Sequence, residues 1–287
     1  MAGELVGILW APFLMCLVLT GIHAYLGVHV LAREVVFVDI AMAQIAALGA
    51  TAAFLVGYEL DTWESYACGL SATMIGAVVL ALTRSRRRHV SQEAVIGVVY
   101  AVSSAGAVLL ADRAPHGAEQ VRTMLVGNLL AVRPHEVVEV AILYSIVGLV
   151  HWFCRRPFFL ISTNPQAAYA EGWRVRLWDF VFYASFGVVV TSSVRIAGVL
   201  LVFSYLIVPA LAGTTFGGSI ASRLLIGWSF GTIVSVVGMV ASATLDTPTG
   251  ATVVCAFGAV LIVFGLGSRL RRRLTGAAAE RERVEVR

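Results

Sequence analysis

Residues 196–216 read IAGVLLVFSYLIVPALAGTTF, an apolar run with one proline near its far end and small residues beyond it. An uncharged run of this length is the signature of a membrane-crossing helix. Proline inside a helix removes one backbone hydrogen bond and crowds the preceding turn. A bilayer core holds no water to repair that loss, so the freed groups must be met inside the protein or beside a water-filled path. Pro209, with Ser204 and Tyr205 about one turn upstream, therefore marks a kinked helix packed in the interior of a bundle.

The rest of the chain has the same character. Of its 287 residues 59% are hydrophobic and 13% are charged, and the mean hydropathy is +0.87. A soluble chain could not bury so much apolar surface. Windows of ~19 residues give about nine spans: 5–27, 40–57, 66–83, 92–111, 136–154, 177–194, 196–213, 223–244 and 251–268. Only Arg195 and its neighbours divide the sixth from the seventh. The expected fold is an all-α, polytopic transmembrane bundle of about 8–9 spans, with a membrane domain over 1–268 and a basic tail over 269–287. Residues 1–9 contain Glu4 and no basic residue, and the first apolar run continues beyond them, so no cleavable leader is expected.

All 21 basic residues are arginine. A Walker A phosphate loop needs its lysine, so this chain is not itself a standard P-loop ATPase, and lysine Schiff-base chemistry is excluded as well. If the N-terminus is outside, the segments 28–39, 84–91, 155–176, 214–223 and 269–287 fall inside and carry most of the arginines. Only Arg113, Arg122, Arg133 and Arg195 fall outside. That asymmetry is the one the positive-inside rule requires, and it puts the C-terminus in the cytoplasm. The clusters Arg84, Arg86–Arg88 and Arg269, Arg271–Arg273 then lie beside anionic lipid, which explains them without nucleic acid.

Polar groups within spans are expensive, and each is a functional candidate. Asp39 opens the second span and Gln44 follows inside it, among Ala41, Ala43, Ala46, Ala47, Gly49 and Ala50. One reading is a tight packing helix whose Gln44 bonds a neighbour. The other is that Asp39 and Gln44 line a polar route. Asp179 opens the sixth span, where a carboxylate suits a helix N-terminus. Asp246, Thr247 and Pro248 form a turn and helix start at the outer mouth, where Asp246 can also meet a cation. The histidines His23, His29 and His151 read as packing or interfacial groups. The stretch EQVRTMLVGNLLAV, 119–132, is too short to span and should lie against the outer surface. The four cysteines show no CxxC pair and read as small buried hydrophobes. Neither a hydrolase motif nor a zinc-protease motif appears. After Pro209, the residues Gly213, Gly217, Gly218 and Ala221 make a small-residue connector on the inner side. It reads either as a plain interhelical loop or as a docking element for a cytoplasmic subunit.

Several stretches together resemble the membrane permeases of ABC importers for zinc, manganese and iron. They are FVDIAMAQIAALGATAAFLVG (37–57), SQEAVIGVVYAVSSAGAVLLAD (91–112), MLVGNLLAVRPHE (124–136), NPQAAYAEGWRV (164–175), GVLLVFSYLIVPALAGTTF (198–216) and LDTPTGATVV (245–254). The resemblance covers most of 5–268. It implies a homodimeric permease, a separate cytoplasmic ATPase that binds the ATP, and an extracytoplasmic metal-binding protein. It implies no bound cofactor and no enzymatic activity in this chain. Many such permeases carry histidine where Gln44 stands, proline where Leu48 stands and aspartate where Asn164 stands. The route it implies runs past Asp39, Gln44, the Tyr205–Pro209 region and Asp246, with coupling to the ATPase at Gly213, Gly217, Gly218 and Ala221. A permease for a larger metal chelate, such as a siderophore or corrinoid, would share this architecture. A secondary transporter working without ATP is the alternative from another class.

Overall fold

The computed structural model describes residues 2–59, 61–84, 91–114 and 117–263. The loop arginines 86–88 and the 269–287 tail lie outside the described residues. The described chain is helical, with no strand. The long helices are α1 (Ala2–Arg33), α2 (Val38–Leu55), α3 (Trp63–Leu82), α4 (Gln92–Ala111), α6 (Pro134–Phe153), α9 (Val175–Phe216) and α10 (Ile220–Leu245). Short helices α5 (Gly117–Val126), α7 (Arg155–Thr163) and α8 (Pro165–Ala170) lie between them. A last apolar helix, α11, covers Thr249–Val263. Side-chain oxygens begin several of these helices by accepting an early backbone N–H. Thr62 accepts from Ser65, Ser91 from Ala94, Asn164 from Ala167 and Ser219 from Ser222. At the start of α6, Pro134 follows Arg133, whose N–H donates to Glu136 at 2.7 Å.

Helix α9 has 42 residues. As one rod it would reach about 63 Å, twice a ~30 Å hydrocarbon core. It does not run straight. Gly198 has φ 75° and ψ 160°, which is not helical. Two contacts with α1 show the direction of the chain on either side of it. Ser193 Oγ lies 3.1 Å from His23 Nε2. Gly27, one turn further along α1, packs so closely on the second arm that a Cβ there would sit 2.0 Å from the Leu206 carbonyl oxygen. A straight helix would advance about 20 Å between residues 193 and 206. His23 and Gly27 are about 6 Å apart along α1, so the chain has turned back. The arms 175–197 and 199–216 are two crossings, as the charge at Arg195 implied.

Among the described residues seven helices are long and apolar enough to cross a membrane when α9 is counted once. Its second arm and α11 bring the bundle to the expected architecture. The most apolar window of α9 is 78% buried against 22% for α4, so α9 is the centre and α4 the periphery. Val98, Val102 and Leu109 of α4 are exposed. Helices α1 and α2 pack on α9 through small residues, which let backbones approach. A Cβ on Gly187 of α9 would lie 2.9 Å from Met42 Cε of α2, and α2 meets α3 in the same way, where a Cβ on Gly49 would lie 2.6 Å from the Cys68 carbonyl oxygen. Pro209 is buried, as its sequence context predicted, with Gly227 and Gly231 of α10 against it.

The bundle has two distinct faces. On one, Arg33, Arg84, Ser162 and Asp179 converge, together with α7 and α8. On the other, the segment after α5 crosses the tip of α9. Asn128 N–H donates to Ile196 O at 3.1 Å, and Cβ atoms on Gly127, Gly198 or Gly250 would overlap backbone there. The short apolar stretch 119–132 thus seats itself on the end of the bundle and meets an otherwise orphaned helix-end carbonyl.

Candidate functional site

The expected route residues sit at three depths. Asp39 is in the first turn of α2, near the arginine-rich face, and is 1% exposed. Neither carboxylate oxygen has a hydrogen-bond partner among the described residues. Beside this helix start, Phe37 N–H donates to Glu93 Oε1 at 3.1 Å, and Glu93 Oε2 is also buried without a partner. Two acidic groups therefore stand at the junction of α2 and α4.

Gln44 lies one turn deeper and is half-buried. The face of α2 that carries Met42, Ile45 and Gly49 is packed against α3 and α9. Ile40, Gln44 and Leu48 form a different stripe, spaced by four residues, and all three are half-buried. Leu48 meets Gly106 of α4, where a Cβ would sit 3.2 Å from Leu48 Cδ1. Gln44 thus belongs to the stripe next to the least buried helix. It makes no hydrogen bond to a described residue, so the packing reading, in which a neighbour bonds its amide, finds no such neighbour here.

Asp246 is far from both. It is exposed on the opposite face and ends α10 in the left-handed conformation, φ 51° and ψ 49°. The expected oxygen cap on the next helix is not what holds this turn. Ser242 Oγ does that, bonding Thr247 O and Thr249 Oγ1 at 2.7 Å each, while Thr247 Oγ1 pairs with Thr252 Oγ1. No group of three or more His, Cys, Asp or Glu side chains that could hold a metal ion occurs among the described residues. Asp39, Gln44 and Asp246 do not form one cage.

Tyr205 is fully buried and its hydroxyl lies 2.7 Å from Ser235 Oγ of α10. That bond joins α9 to α10. Gly213 and Gly217 are buried against α10, where Cβ atoms would lie 2.2 Å from Arg223 O and 2.7 Å from Arg223 N. Gly218 and Ala221 are exposed. The connector is thus a tight turn with an open tip.

Several polar groups gained partners that spacing could not show. Asp179, expected to cap a helix, is a buried counter-ion. Its Oδ1 accepts from Arg33 Nη1 at 2.7 Å, and Arg84 Nε lies 3.0 Å from Oδ2. Arg33 also donates through Nε to Ser162 Oγ at 2.8 Å and stacks 3.9 Å above the Phe182 ring. This ties α1, α3, α7 and α9 at one level. Deeper, Tyr144 of α6 bonds Ser193, which also meets His23. His29 and His151, read singly as packing groups, have ring centroids 6.5 Å apart, with Tyr25 edge-on to both. Of the cysteines, Cys16 is buried, but Cys68 and Cys255 are on the apolar surface; all four are free.

The ABC 3 transport family description matches residues 7–267. The chain belongs to that family. Among curated relatives it is 24% identical over 155 residues to the "Probable iron transport system membrane protein" of Haemophilus influenzae, covering 54% of this chain and 57% of the relative. It is 25% identical over 187 residues to the manganese import system permease protein ScaB of Streptococcus parasanguinis, covering 63% of this chain and 66% of that protein. These matches thus span less than two thirds of either relative's own length. Among solved structures, PsaBC from Streptococcus pneumoniae in complex with Fab superposes with TM-score 0.75 at 17% identity, covering 92% of this chain and 95% of that one. An ABC transporter in an inward-facing conformation superposes with TM-score 0.66 at 17% identity, covering 91% and 88%. Both likenesses establish the fold, a helical membrane bundle shared with those chains.

Proposed function

We propose that this chain is the membrane-spanning permease subunit of an ATP-driven importer for a divalent metal ion. It conducts and does not catalyse. ATP is bound and hydrolysed by a separate cytoplasmic subunit, an extracytoplasmic binding protein delivers the ion, and two copies of the chain enclose the route. The N-terminus lies outside and the arginine-rich face inside, in keeping with the positive-inside rule. On that face the ATPase meets α7, α8 and the exposed tip at Gly218.

The observation that carries the reading is Asp39. A buried carboxylate whose two oxygens meet no donor is unstable until a cation, a proton or water reaches it. Gln44, also without a bonded neighbour, adds an amide oxygen one turn deeper. Hard oxygen ligands in series, without a closed cage, suit an ion that must pass on and not stay. The two relatives carry names that refer to an iron transport system and a manganese import system, and both ions accept such ligands.

The test is metal uptake per assembled transporter, with manganese, zinc and iron(II) compared for wild type, Gln44→Leu and Gln44→His. The Leu variant should assemble and transport poorly. The His variant should restore uptake and shift preference toward zinc, because imidazole is a softer ligand than an amide. Unchanged uptake and preference in both variants, and in Asp39→Asn, would remove this stripe from the route.

A further inference from the structure

Helices α6 and α10 both lean on α1 and leave a groove of about 470 Å³ between them, apart from the α2–α4 junction. Its floor is Gly21, Ile22 and Tyr25 of α1. Gly148 forms part of its α6 wall, and neither Gly21 nor Gly148 has an atom within 4 Å of where a Cβ would stand. The lining along α6 runs from Ala141 to Trp152. That is about 16 Å of helix, close to the ~15 Å thickness of one leaflet's hydrocarbon.

The lining is graded along its length. The deep end carries Leu17, Val18 and Ala141. The end at the arginine-rich face carries Arg155, Tyr25 and the edge of His151. Arg155 is exposed and stacks 4.7 Å from the Trp152 ring. No carboxylate among the described residues pairs with it. The Tyr25 hydroxyl makes no hydrogen bond to a described residue, and His151 Nδ1 is buried without a partner. An occupant must therefore be apolar for one leaflet's depth and must end in an anion flanked by hydrogen-bond acceptors. Tryptophan and arginine at the mouth mark the headgroup level of a bilayer.

We infer that this groove holds one acyl chain of an anionic phospholipid, its phosphate on Arg155 and its glycerol-ester oxygens beside Tyr25. Trp228 fixes the opposite wall by donating from Nε1 to Gly21 O at 3.0 Å. Arg155 selects charge, while the glycines set the room for the chain.

The full-length protein, purified in detergent, is titrated with phosphatidylglycerol or phosphatidylcholine and the bound lipid is counted by native mass spectrometry. Wild type should bind one phosphatidylglycerol in preference to phosphatidylcholine. In Arg155→Gln the preference should fall about five-fold, the effect of one arginine beside an anionic headgroup. Gly148→Leu should fill the groove and release both lipids. Ser145→Trp, at an exposed position on the same wall, serves the same end if the first variant fails to assemble. Retention of the wild-type preference in Arg155→Gln and in a groove-filling variant would overturn the inference. So would efficient cross-linking of Ser145→Cys between two copies, which would make the occupant a second permease.

Discussion

The Arg33–Asp179 pair allows a stability test with a calculable size. Both side chains are wholly buried, and the contact is 2.7 Å. Asp179→Leu would leave the Arg33 guanidinium inside the bundle beside Ser162 and the Phe182 and Tyr183 rings, with no carboxylate among the described residues to neutralise it. Removing one partner of a buried pair destabilises by about 3–5 kcal/mol, because the other charge stays buried and uncompensated. The second pair adds little. Arg84 is 15% exposed, and a pair with access to solvent is worth ~0–1 kcal/mol. Thermal unfolding of the purified chain, followed by tryptophan fluorescence at one fixed scan rate, should therefore drop by roughly 6–20 °C. The double variant Arg33→Met with Asp179→Leu should recover most of that loss, since apolar side chains of similar volume can replace a buried pair at little cost. A single variant within about 2 °C of wild type would refute the reasoning. A double variant as unstable as the single one would refute it too, since the damage would then be lost packing and not an orphaned charge.

Gly198→Ala should destabilise strongly, since its Cβ would lie 2.4 Å from Gly127 N and its φ of 75° disfavours any side chain; normal assembly and melting of that variant would show that the reversal at 198 is not constrained. Gly218→Trp, at an exposed position, should leave the chain folded and weaken retention of the ATPase on co-purification, whereas Gly213→Leu should impair folding itself; a Gly218 variant with full retention and uptake would make the connector an ordinary loop. A cysteine at Asp61 should react with an impermeant reagent in intact cells and one at Gly218 should not; the reverse labelling would invert the topology.

The bundle was legible in sequence because hydrophobic runs and arginine asymmetry are properties of the chain alone. Pro209 announced an interior helix, and Arg195 divided α9 into two crossings despite its continuous helical appearance. The stretch 119–132 is too short to span, which is why the sequence puts it against the outer surface. What the sequence hid was pairing. Asp179 lies 146 residues from Arg33, and no spacing rule joins them; a helix-cap role was the only local option. The partner of the Tyr205 hydroxyl, Ser235, is likewise on another helix. Gly127 and Gly198 are 71 residues apart, and each would place a Cβ against backbone at the other's position. The direction of Gln44 was equally invisible, because an alanine-rich helix offers no apolar stripe to say which side is buried.

The two faces of the bundle are fastened by different means, and the difference follows from chemistry available at each. At the arginine-rich face, long side chains reach across helices, and one carboxylate collects two guanidinium groups. At the other face the ties are backbone to backbone: Asn128 N–H to Ile196 O, with Gly127, Gly198 and Gly250 at the crossing. Such approach is open only to residues without a Cβ. Between these fastenings Tyr144, Ser193 and His23 bond one another across α6, α9 and α1. Along the stripe of α2 beside α4 the open groups are carboxylate and amide oxygens. There Asp39, Glu93 and Gln44 keep unbonded oxygens next to the helix with the least burial. The proposed route is placed at that seam because, among the described residues, its carboxylates lack the guanidinium partners that Asp179 has.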